Sequence, residues 1–368
     1  MTARRKLGVA GVAIACASAL LLSACASNKS KSGGSSTASA AVPTANTTTG
    51  GTLPPGEPDI NGDGKVVIGV LSPGDLNDHG YYESFVDEAD AFAKSKGWTV
   101  IKRGNVADND ALAAARALCQ QHVDLVALGA SELKDAIPAA SEAVCAKTAW
   151  YVPASGNLPL SPHIFLSSDI ASQSVYAGGY AIGLLMKAKG ETKAGFIAGQ
   201  SADYSLAAAS AFKAGLKMAV PNSSVVVSFT GDNNDSAKGK EAMQAQISQG
   251  VKAVYPYLGG STDAVASLAN QSGVMTLTPG TDRCDSTSPT FDVSVIFSPG
   301  DYFAAALQLF AEGKLYMGVA RVWKMGVDPY PTVKICHPTG NETAEVQALM
   351  AKIGSGQINT DPGTKAGS

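Results

Sequence analysis

A short segment of polar and aromatic residues has the composition of a small-molecule site. Asp78 stands three residues before Tyr81, and Tyr82 follows directly. A carboxylate accepts hydrogen bonds from hydroxyl or amide groups, and an aromatic ring offers a face for stacking. The segment follows Val66–Leu71, an apolar run typical of a buried strand. We therefore expect Asp78, Tyr81 and Tyr82 to bind a ligand. The alternative is that Asp78 caps the following helix and Tyr81 packs on it.

A second carboxylate occupies an equivalent position in the later part of the chain. Asp282 follows the apolar run Val274–Thr278. Open α/β sheets bind ligands at the carboxyl ends of their strands. A carboxylate there can accept two hydroxyl donors at once. We expect Asp282 to bind the ligand, and the alternative is an ion pair with its neighbour Arg283.

Smaller residues follow two further predicted strands. Ser131 comes just after Val123–Gly129, and Gly259 and Gly260 come after the apolar run of residues 251–258. A hydroxyl can donate and accept hydrogen bonds, and glycine lets a ligand approach the backbone closely. These positions are candidates for ligand contact, with ordinary turn roles as the alternative.

The sequence lacks the motifs of common enzymes. It has no G-x-S-x-G elbow, no P-loop and no H-E-x-x-H, and no G-x-G-x-x-G follows the first predicted strand. The four histidines are scattered, no C-x-x-C occurs, and the net charge is −3. We therefore expect a binding protein without metal or cofactor, and neither an enzyme nor a nucleic-acid binder.

One segment resembles the opening of a calcium loop. Asp59–Gly64 matches the pattern D-x-N-x-D-G. The twelfth loop position, where a bidentate glutamate should stand, is Val70, and a strand is predicted to begin before it. We favour a plain Asn/Gly turn over a calcium site.

The amino-terminal residues have the pattern of an exported lipoprotein. Arg4, Arg5 and Lys6 precede the uncharged apolar run Gly8–Leu22, which is too short for a resident transmembrane helix. The run ends in L-S-A-C, and this spacing resembles a bacterial lipobox in which Cys25 is acylated. The alternative is an ordinary secretory signal cleaved nearby. The following residues are rich in Ser, Thr, Ala and Gly and have the composition of a flexible tether.

Four cysteines remain beyond Cys16 in the signal segment and Cys25: Cys119, Cys145, Cys284 and Cys336. An even number in an exported protein suggests two disulfides, for which three connectivities are possible.

Apolar β-rich runs alternate with helical patterns along the chain, and the alternation restarts after Ser168. Among these elements we predict a helix at Leu133–Lys147 and strands at Phe291–Phe297 and Val322–Val327. Continuous apolar strands alternating with helices favour a parallel sheet covered on both faces. The number of elements suits an α/β chain with two doubly wound lobes and a cleft at the carboxyl ends of the strands.

Four segments, in order, resemble motifs of the basic membrane protein (Bmp) lipoprotein family. The chain's versions are N-D-H-G-Y-Y at 77–82, V-Y-A-G-G at 175–179, G-D-N-N-D-S-A-K-G-K-E at 231–241 and G-T-D at 280–282. They are similar to the family's D-x-x-F-N, Y-L-A-G, F-N-D-P-A-K-G and G-V-D motifs. The resemblance implies the type I periplasmic binding protein architecture, with two flavodoxin-like lobes joined by hinge strands. It also implies a monomeric, nucleoside-binding component of an ABC importer that delivers its solute to a membrane permease.

The resemblance also implies roles for individual residues. Tyr81 would stack on a ring, Asp282 would contact ribose hydroxyls, and Asp78 and Asn233 would complete the polar contacts. Two departures change the expected ligand: Asn233 replaces an aromatic residue, and Phe297-Ser298-Pro299 stands where purine-binding relatives have a lysine. A different nucleoside or a sugar-like solute is then the expected ligand, and a surface or sensor lipoprotein without transport function is the further alternative.

The implied architecture predicts domain boundaries and disulfides. The expected divisions are a signal peptide (1–24), a lipid-anchored tether on the outer face of the cell membrane (25–64), a first lobe (65–168 plus 289–318), a second lobe (169–288 plus 319–357) and a tail (358–368). In a flavodoxin-like order the helices around Val123–Gly129 pack side by side, which predicts the pair Cys119–Cys145. Cys284 follows one strand and Cys336 ends another, and both strands are expected in the second lobe. This predicts the pair Cys284–Cys336.

Overall fold

The computed structural model describes residues 50–155 and 158–361. Within these residues the strands are β1 (Val67–Leu71), β2 (Thr99–Arg103), β3 (Leu125–Leu128), β4 (Ala149–Ser155), β5 (Phe165–Asp169), β6 (Lys193–Ala198), β7 (Ser224–Phe229), β8 (Ala253–Tyr257), β9 (Met275–Gly280), β10 (Val293–Ile296), β11 (Val319–Trp323) and β12 (Thr332–Ile335). The α-helices are α1 (Tyr81–Lys96), α2 (Ala111–Cys119), α3 (Ala171–Ala188), α4 (Asp203–Ala219), α5 (Ser236–Ser248), α6 (Thr262–Gln271), α7 (Pro299–Ala311) and α8 (Glu342–Gly354). Short 3-10 helices join some of them.

The first lobe is built on a parallel sheet with the strand order β11-β5-β4-β3-β1-β2. β1 and β3 are continuous apolar runs because helices cover both faces of the sheet. α1 buries Tyr82, Phe85, Val86 and Ala89, a spacing that lines one side of a helix. α7 lies on the same face, where the rings of Phe85 and Phe303 stack with centroids 4.4 Å apart.

The second lobe is built on a sheet with the order β12-β10-β9-β8-β6-β7, in which β12 is antiparallel to β10 and the other pairs are parallel. Side chains of α3, α4 and α8 form the core on one face, and those of α5 and α6 contribute to the core on the other. α3 and α4 approach closely because of glycine. A Cβ at Gly179 would lie 2.3 Å from the carbonyl oxygen of Phe212, so a larger residue there would force the helices apart.

The chain passes between the sheets three times, and two passages differ from expectation. The first follows β5 (Phe165–Asp169), near the expected lobe boundary at residue 168. We expected residues 289–318 in the first lobe and 319–357 in the second. Instead β10 pairs with β9 and β12 in the second sheet, and β11 pairs with β5 in the first. The second passage therefore follows β10 at Phe297–Pro299, and the third follows β11.

Residues 50–64 are not a free tether, because they are bound to the first lobe. Thr52 and Met317 exchange two backbone hydrogen bonds of 2.8 and 2.9 Å. The Glu57 carboxylate accepts from the Leu315 N–H at 3.0 Å, and Ile60 is buried in the first-lobe core. We call residues 50–64 the strap. The rest of the expected tether and signal peptide, including Cys25, and the tail from residue 362 lie outside the described residues.

The Asp59–Gly64 segment within the strap forms a turn. The Asp59 carboxylate accepts hydrogen bonds from the backbone N–H groups of Gly62, Asp63 and Gly64. Asn61 in turn accepts from the Asp63 N–H and donates to the carbonyl of His122. These bonds use the acceptors of Asp59 to fix the loop, which agrees with the turn interpretation.

The predicted helix Leu133–Lys147 is wrong in type. The structure has 3-10 helices at Ser131–Ser141 and Ala143–Cys145. Pro138 lies inside this segment, where it supplies no N–H and its ring obstructs the carbonyl one turn earlier in an α-helix. The tighter 3-10 turns accommodate the proline.

Both expected disulfides are formed. Cys119, at the end of α2, is bonded to Cys145 with a Cα–Cα distance of 5.1 Å, and Cys284 to Cys336 with a distance of 4.8 Å. Each bond lies within one lobe, so neither restrains motion between the lobes. In the described part of the chain, no helix is long and apolar enough to cross a membrane.

Removal of the first disulfide should destabilise the protein. Because Cys119 and Cys145 are 26 residues apart, the bond restricts the unfolded chain, and C119A/C145A should lower the free energy of unfolding by ~3–4 kcal/mol. Urea unfolding under non-reducing conditions measures this. The control is the C284A/C336A protein, which keeps the Cys119–Cys145 bond. Its urea unfolding is compared with and without reductant, which breaks that bond without changing the side chains at residues 119 and 145. An unchanged urea midpoint in both experiments would show that the bond adds no stability.

Candidate functional site

Two adjoining cavities lie between the lobes. The larger, of about 90 Å³, is lined by Tyr81, Tyr82, Ala130, Ser131, Glu132, Tyr204, Asn233, Tyr257, Leu258, Gly259, Pro279 and Phe297. The smaller, of about 20 Å³, is lined by Tyr81, Ser131, Tyr151, Pro153, Ser167, Asp169, Phe297, Pro299 and Tyr302. Tyr81, Ser131 and Phe297 line both, so we treat the two cavities as one interlobe site.

The carboxyl ends of strands from both sheets position this site. Ser131 and Glu132 follow β3 in the first lobe, and Asp169 is the last residue of β5. Tyr257 is the last residue of β8 in the second lobe, and Phe297 follows β10. Parallel strands end at a common edge, so residues that are distant in the chain meet there. Asp169 and Phe297 also lie at the first and second passages between the lobes, and therefore form the base of the site.

Aromatic rings meet across the site. Tyr81 begins α1, and its ring centroid is 5.4 Å from that of Tyr82 in an edge-to-face arrangement. The Tyr81 centroid is also 5.9 Å from that of Phe297, whose N–H donates to the Gly280 carbonyl of the second lobe. The first-lobe tyrosines thus provide one wall and Phe297 part of the facing wall.

The two lobes are in contact over the larger cavity. Asn233 Nδ2 of the second lobe donates to Glu132 Oε1 of the first at 3.5 Å, a long hydrogen bond. A Cβ at Gly259 would lie 3.0 Å from the Tyr82 ring, so the absence of a side chain there permits the approach. The structure is therefore a closed arrangement in which both lobes wall the site.

The charged residues that line the site are acidic. Burial raises the pKa of Asp169 to about 7. Burial also raises the pKa of Glu132, and the nearby negative charge of Asp108 adds to that effect. Among the lining residues of both cavities there is no Lys, Arg or His. No cationic side chain in the lining offsets this desolvation, so the pKa values of both carboxyls remain raised.

Five of the eight residues expected to bind ligand are brought together here: Tyr81, Tyr82, Ser131, Asn233 and Gly259. Gly260 lies just outside, where its N–H donates to Asn234 Oδ1 at 2.9 Å. This contact matches the turn role considered as the alternative.

Asp78 is placed as a helix cap and not in either cavity. Its carboxylate accepts hydrogen bonds from the backbone N–H groups of Gly80, Tyr82 and Glu83, between 3.0 and 3.2 Å. Free N–H groups at the start of α1 use the acceptor capacity that a ligand would need. The capping alternative therefore describes Asp78 in this structure, and Tyr81 lines the site beside it.

Asp282 also lies outside the interlobe site. Its Oδ2 accepts from Lys334 Nζ at 2.9 Å, and the pair lines a separate groove of about 520 Å³ beside β12 and α8. Arg283 pairs with Asp263 instead, so neither the ligand role nor the ion pair expected for Asp282 matches this placement. The antiparallel strand β12, which brings Lys334 to Asp282, is a non-local pairing that the spacing of residues does not reveal.

Five further residues line the cavities without having been expected to bind ligand: Glu132, Asp169, Tyr204, Tyr257 and Phe297. A signal was present for two of them. Asp169 ends the run F-L-S-S-D, in which polar residues replace apolar ones at the end of a strand, and Tyr257 ends β8 in the same way. Glu132 follows Ser131 directly, but only Ser131 was considered as a candidate for ligand contact.

Comparison with known proteins agrees with this geometry. The family model "Bmp: ABC transporter substrate-binding protein PnrA-like" matches residues 65–352. A comparison with curated protein sequences found no significant match.

Solved structures share the fold. A solute-binding protein of an ABC transporter system from Conexibacter woesei DSM 14684 has 21% identity and a TM-score of 0.61, over 80% of this chain and 98% of that one. One from Aeropyrum pernix K1 has 16% identity and a TM-score of 0.67, over 80% and 92%. A periplasmic solute-binding protein from Actinobacillus succinogenes 130z with bound D-allose has 13% identity and a TM-score of 0.58, over 74% and 98%.

The buried carboxyl of Asp169 should make stability depend on pH. Because its pKa is raised to about 7 in the folded protein and is ~3.9 when unfolded, the folded state binds more protons between these values, and stability falls as pH rises through them. Asp169→Asn removes the ionisation and should raise the free energy of unfolding by up to ~4 kcal/mol at pH 8, and by less at pH 5. Urea unfolding of ligand-free protein at both pH values measures this. Asp285→Asn, at an exposed aspartate, is the control. Equal gains at pH 5 and pH 8 would contradict the desolvation of Asp169.

Proposed function

The chain belongs to the Bmp family of PnrA-like ABC transporter substrate-binding proteins, and from this premise we propose that it is a lipid-anchored receptor that binds a nucleoside for import. Family membership makes it an extracytoplasmic solute-binding protein and not an enzyme. The receptor would deliver its solute to a membrane permease as a monomer. Anchoring through Cys25 and the identity of the solute are the parts of this proposal that go beyond the family.

The observation that carries the proposal is that both lobes supply walls of one site. Tyr81, Tyr82 and Glu132 come from the first lobe, and Asn233 and Tyr257 from the second. A ligand that contacts both lobes has more interactions in the closed arrangement than in an open one, so its binding favours closure. A permease that recognises the closed form would then distinguish loaded from empty receptor.

The chemistry of the walls suits a nucleoside. The rings of Tyr81 and Phe297 lie 5.9 Å apart and could offer faces to a base, so Phe297 would take the place of the aromatic residue that Asn233 replaces. Glu132 and Asp169 can accept hydrogen bonds from ribose hydroxyls, the role expected of Asp282. Asn233 and Ser131 add an amide and a hydroxyl at the edges.

A sugar is the second candidate, and the size of the site favours it. The larger cavity is about 90 Å³, whereas pockets for drug-sized ligands are ~300–1,000 Å³. A nucleoside therefore requires more separation of the lobes or more side-chain movement than a monosaccharide does. The structural neighbour from Actinobacillus succinogenes 130z holds D-allose.

The stacking role of Tyr81 can be tested by calorimetry. Purified protein is titrated with adenosine, guanosine, uridine, cytidine, D-allose and D-glucose. Tyr81→Ala should weaken nucleoside binding by ~1–3 kcal/mol, since a base would lose a stacking face. Tyr81→Phe keeps the ring and should bind nearly as wild type. Tyr316→Ala, at an exposed tyrosine outside both cavities, is the control. Failure of every compound to bind, or wild-type affinity of Tyr81→Ala, would refute the site assignment.

Lipid anchoring can be tested independently of ligand binding. Cys25→Ala removes the acylated residue and should release the protein from the membrane fraction. Cys16→Ala, within the same amino-terminal segment, should leave it membrane-bound. Intact mass of detergent-extracted wild type should show loss of residues 1–24 and addition of a lipid. If the Cys25→Ala protein remains as firmly membrane-bound as wild type, Cys25 is not the anchor.

A further inference from the structure

The interlobe site is lined by two acidic side chains and no basic one. Its only charged lining residues are Glu132 and Asp169, which line the two adjoining cavities. In the described part of the chain the salt bridges involve other residues, so neither carboxyl has a cationic side chain as partner. Buried charges in proteins are normally paired, since desolvating an unpaired one is costly. The lining therefore favours a partner that carries positive charge.

Hydrogen bonds within the described residues satisfy these carboxyls poorly. Glu132 accepts from Ser131 Oγ and Asn233 Nδ2, each at 3.5 Å and thus at the long limit of a hydrogen bond. Asp169 has no side-chain donor among residues 50–155 and 158–361, and its own backbone N–H is the group that lowers its pKa. Both carboxyls accordingly retain acceptor capacity that faces the cavities.

The rest of the lining is suited to an organic cation. Rings of Tyr81, Tyr82, Tyr257 and Phe297 surround the larger cavity, and Tyr151 and Tyr302 border the smaller one. The faces of aromatic rings carry partial negative charge and attract ammonium groups. Carboxyls with aromatic rings and no basic side chain form a lining that attracts cations and repels phosphates.

We propose that the solute carries a protonated amine, which lies among the aromatic rings near Glu132 and Asp169. This inference rests on the proposed solute-binding function and defines its substrate class: an amino-substituted nucleoside or sugar. A neutral polyol would supply hydrogen-bond donors but no positive charge, so both carboxyls would keep an environment that favours their neutral forms. A bare metal ion is a poorer fit, because no three potential ligand side chains cluster in the described part of the chain.

The proposal also explains how the two carboxyls would affect closure of the lobes. In this closed arrangement Asp169 is desolvated, which disfavours its charged form. A cationic ligand favours that charged form and is present only in the loaded closed state. The carboxyls would thus oppose closure of the empty receptor and support closure of the loaded one.

Matched pairs of compounds test the charge of the ligand on wild-type protein. Calorimetry at pH 7 compares 5′-amino-5′-deoxyadenosine with adenosine, and 6-amino-6-deoxy-D-glucose with D-glucose. In at least one pair the amino compound should bind about tenfold or more tightly than its hydroxyl counterpart, the scale of a desolvated charge pair or cation–π contact. Adenosine 5′-monophosphate should bind more weakly than adenosine.

Variants assign the preference to the two carboxyls. Asp169→Asn and Glu132→Gln keep the shape of each side chain, and each should reduce the preference for the amino compound by about tenfold. Asp285→Asn, at an exposed position, should leave the preference unchanged. Equal or tighter binding of the neutral compounds to wild type would overturn the inference and leave the proposed function standing. Absence of binding by all compounds would refute both. A preference that survives in both variants would also overturn the inference.

Discussion

The backbone passes between the two sheets three times, and the features of the interlobe site depend on where these passages lie. The first and second begin at Asp169 and Phe297, at the carboxyl ends of strands in opposite lobes. Each passage therefore places a side chain at the base of the cleft. At the third passage the Asp328 carboxylate binds both the Arg321 guanidinium, at 2.8 Å, and the Lys324 N–H. This buried contact fixes the end of β11 where the chain leaves the first lobe.

At this site a residue suited to ligand binding lowers the stability of the ligand-free protein. Asp169 has an environment that favours its neutral form, and Tyr81, Tyr151 and Tyr302 line the same cavity. A protein selected for stability alone would place an apolar residue or a counter-ion there. Functional sites commonly retain such unfavourable groups, because a ligand can supply the missing interaction. The stacked rings of Phe85 and Phe303 in the first-lobe core line neither cavity, so they stabilise that lobe independently of a ligand.

Local pattern predicted the sheets well and the site only in part. Strands such as β1 and β3 are visible as continuous apolar runs, and the chain was correctly expected to form two doubly wound lobes. Tyr81 could be assigned because it follows the first strand. Asp78 and Asp282 could not be separated from the residues that line the cavities, because a capped helix and a cross-strand lysine depend on three-dimensional neighbours. The same limit misplaced β10 and β11, since strand pairing is not encoded in the spacing of either segment.

If the chain is lipid-anchored, the strap would give the two lobes unequal mechanical roles at the membrane. Its backbone bonds to Met317 and its buried Ile60 join it to the first lobe alone. If Cys25 is the lipid anchor, the 25 residues from there to Gly50 can span at most about 90 Å, and this limit applies to the first lobe directly. The anchored lobe would hold its position while the second lobe swings. The first lobe would then set the distance between the receptor and the bilayer. The position of the second lobe would indicate to the permease whether a solute is bound.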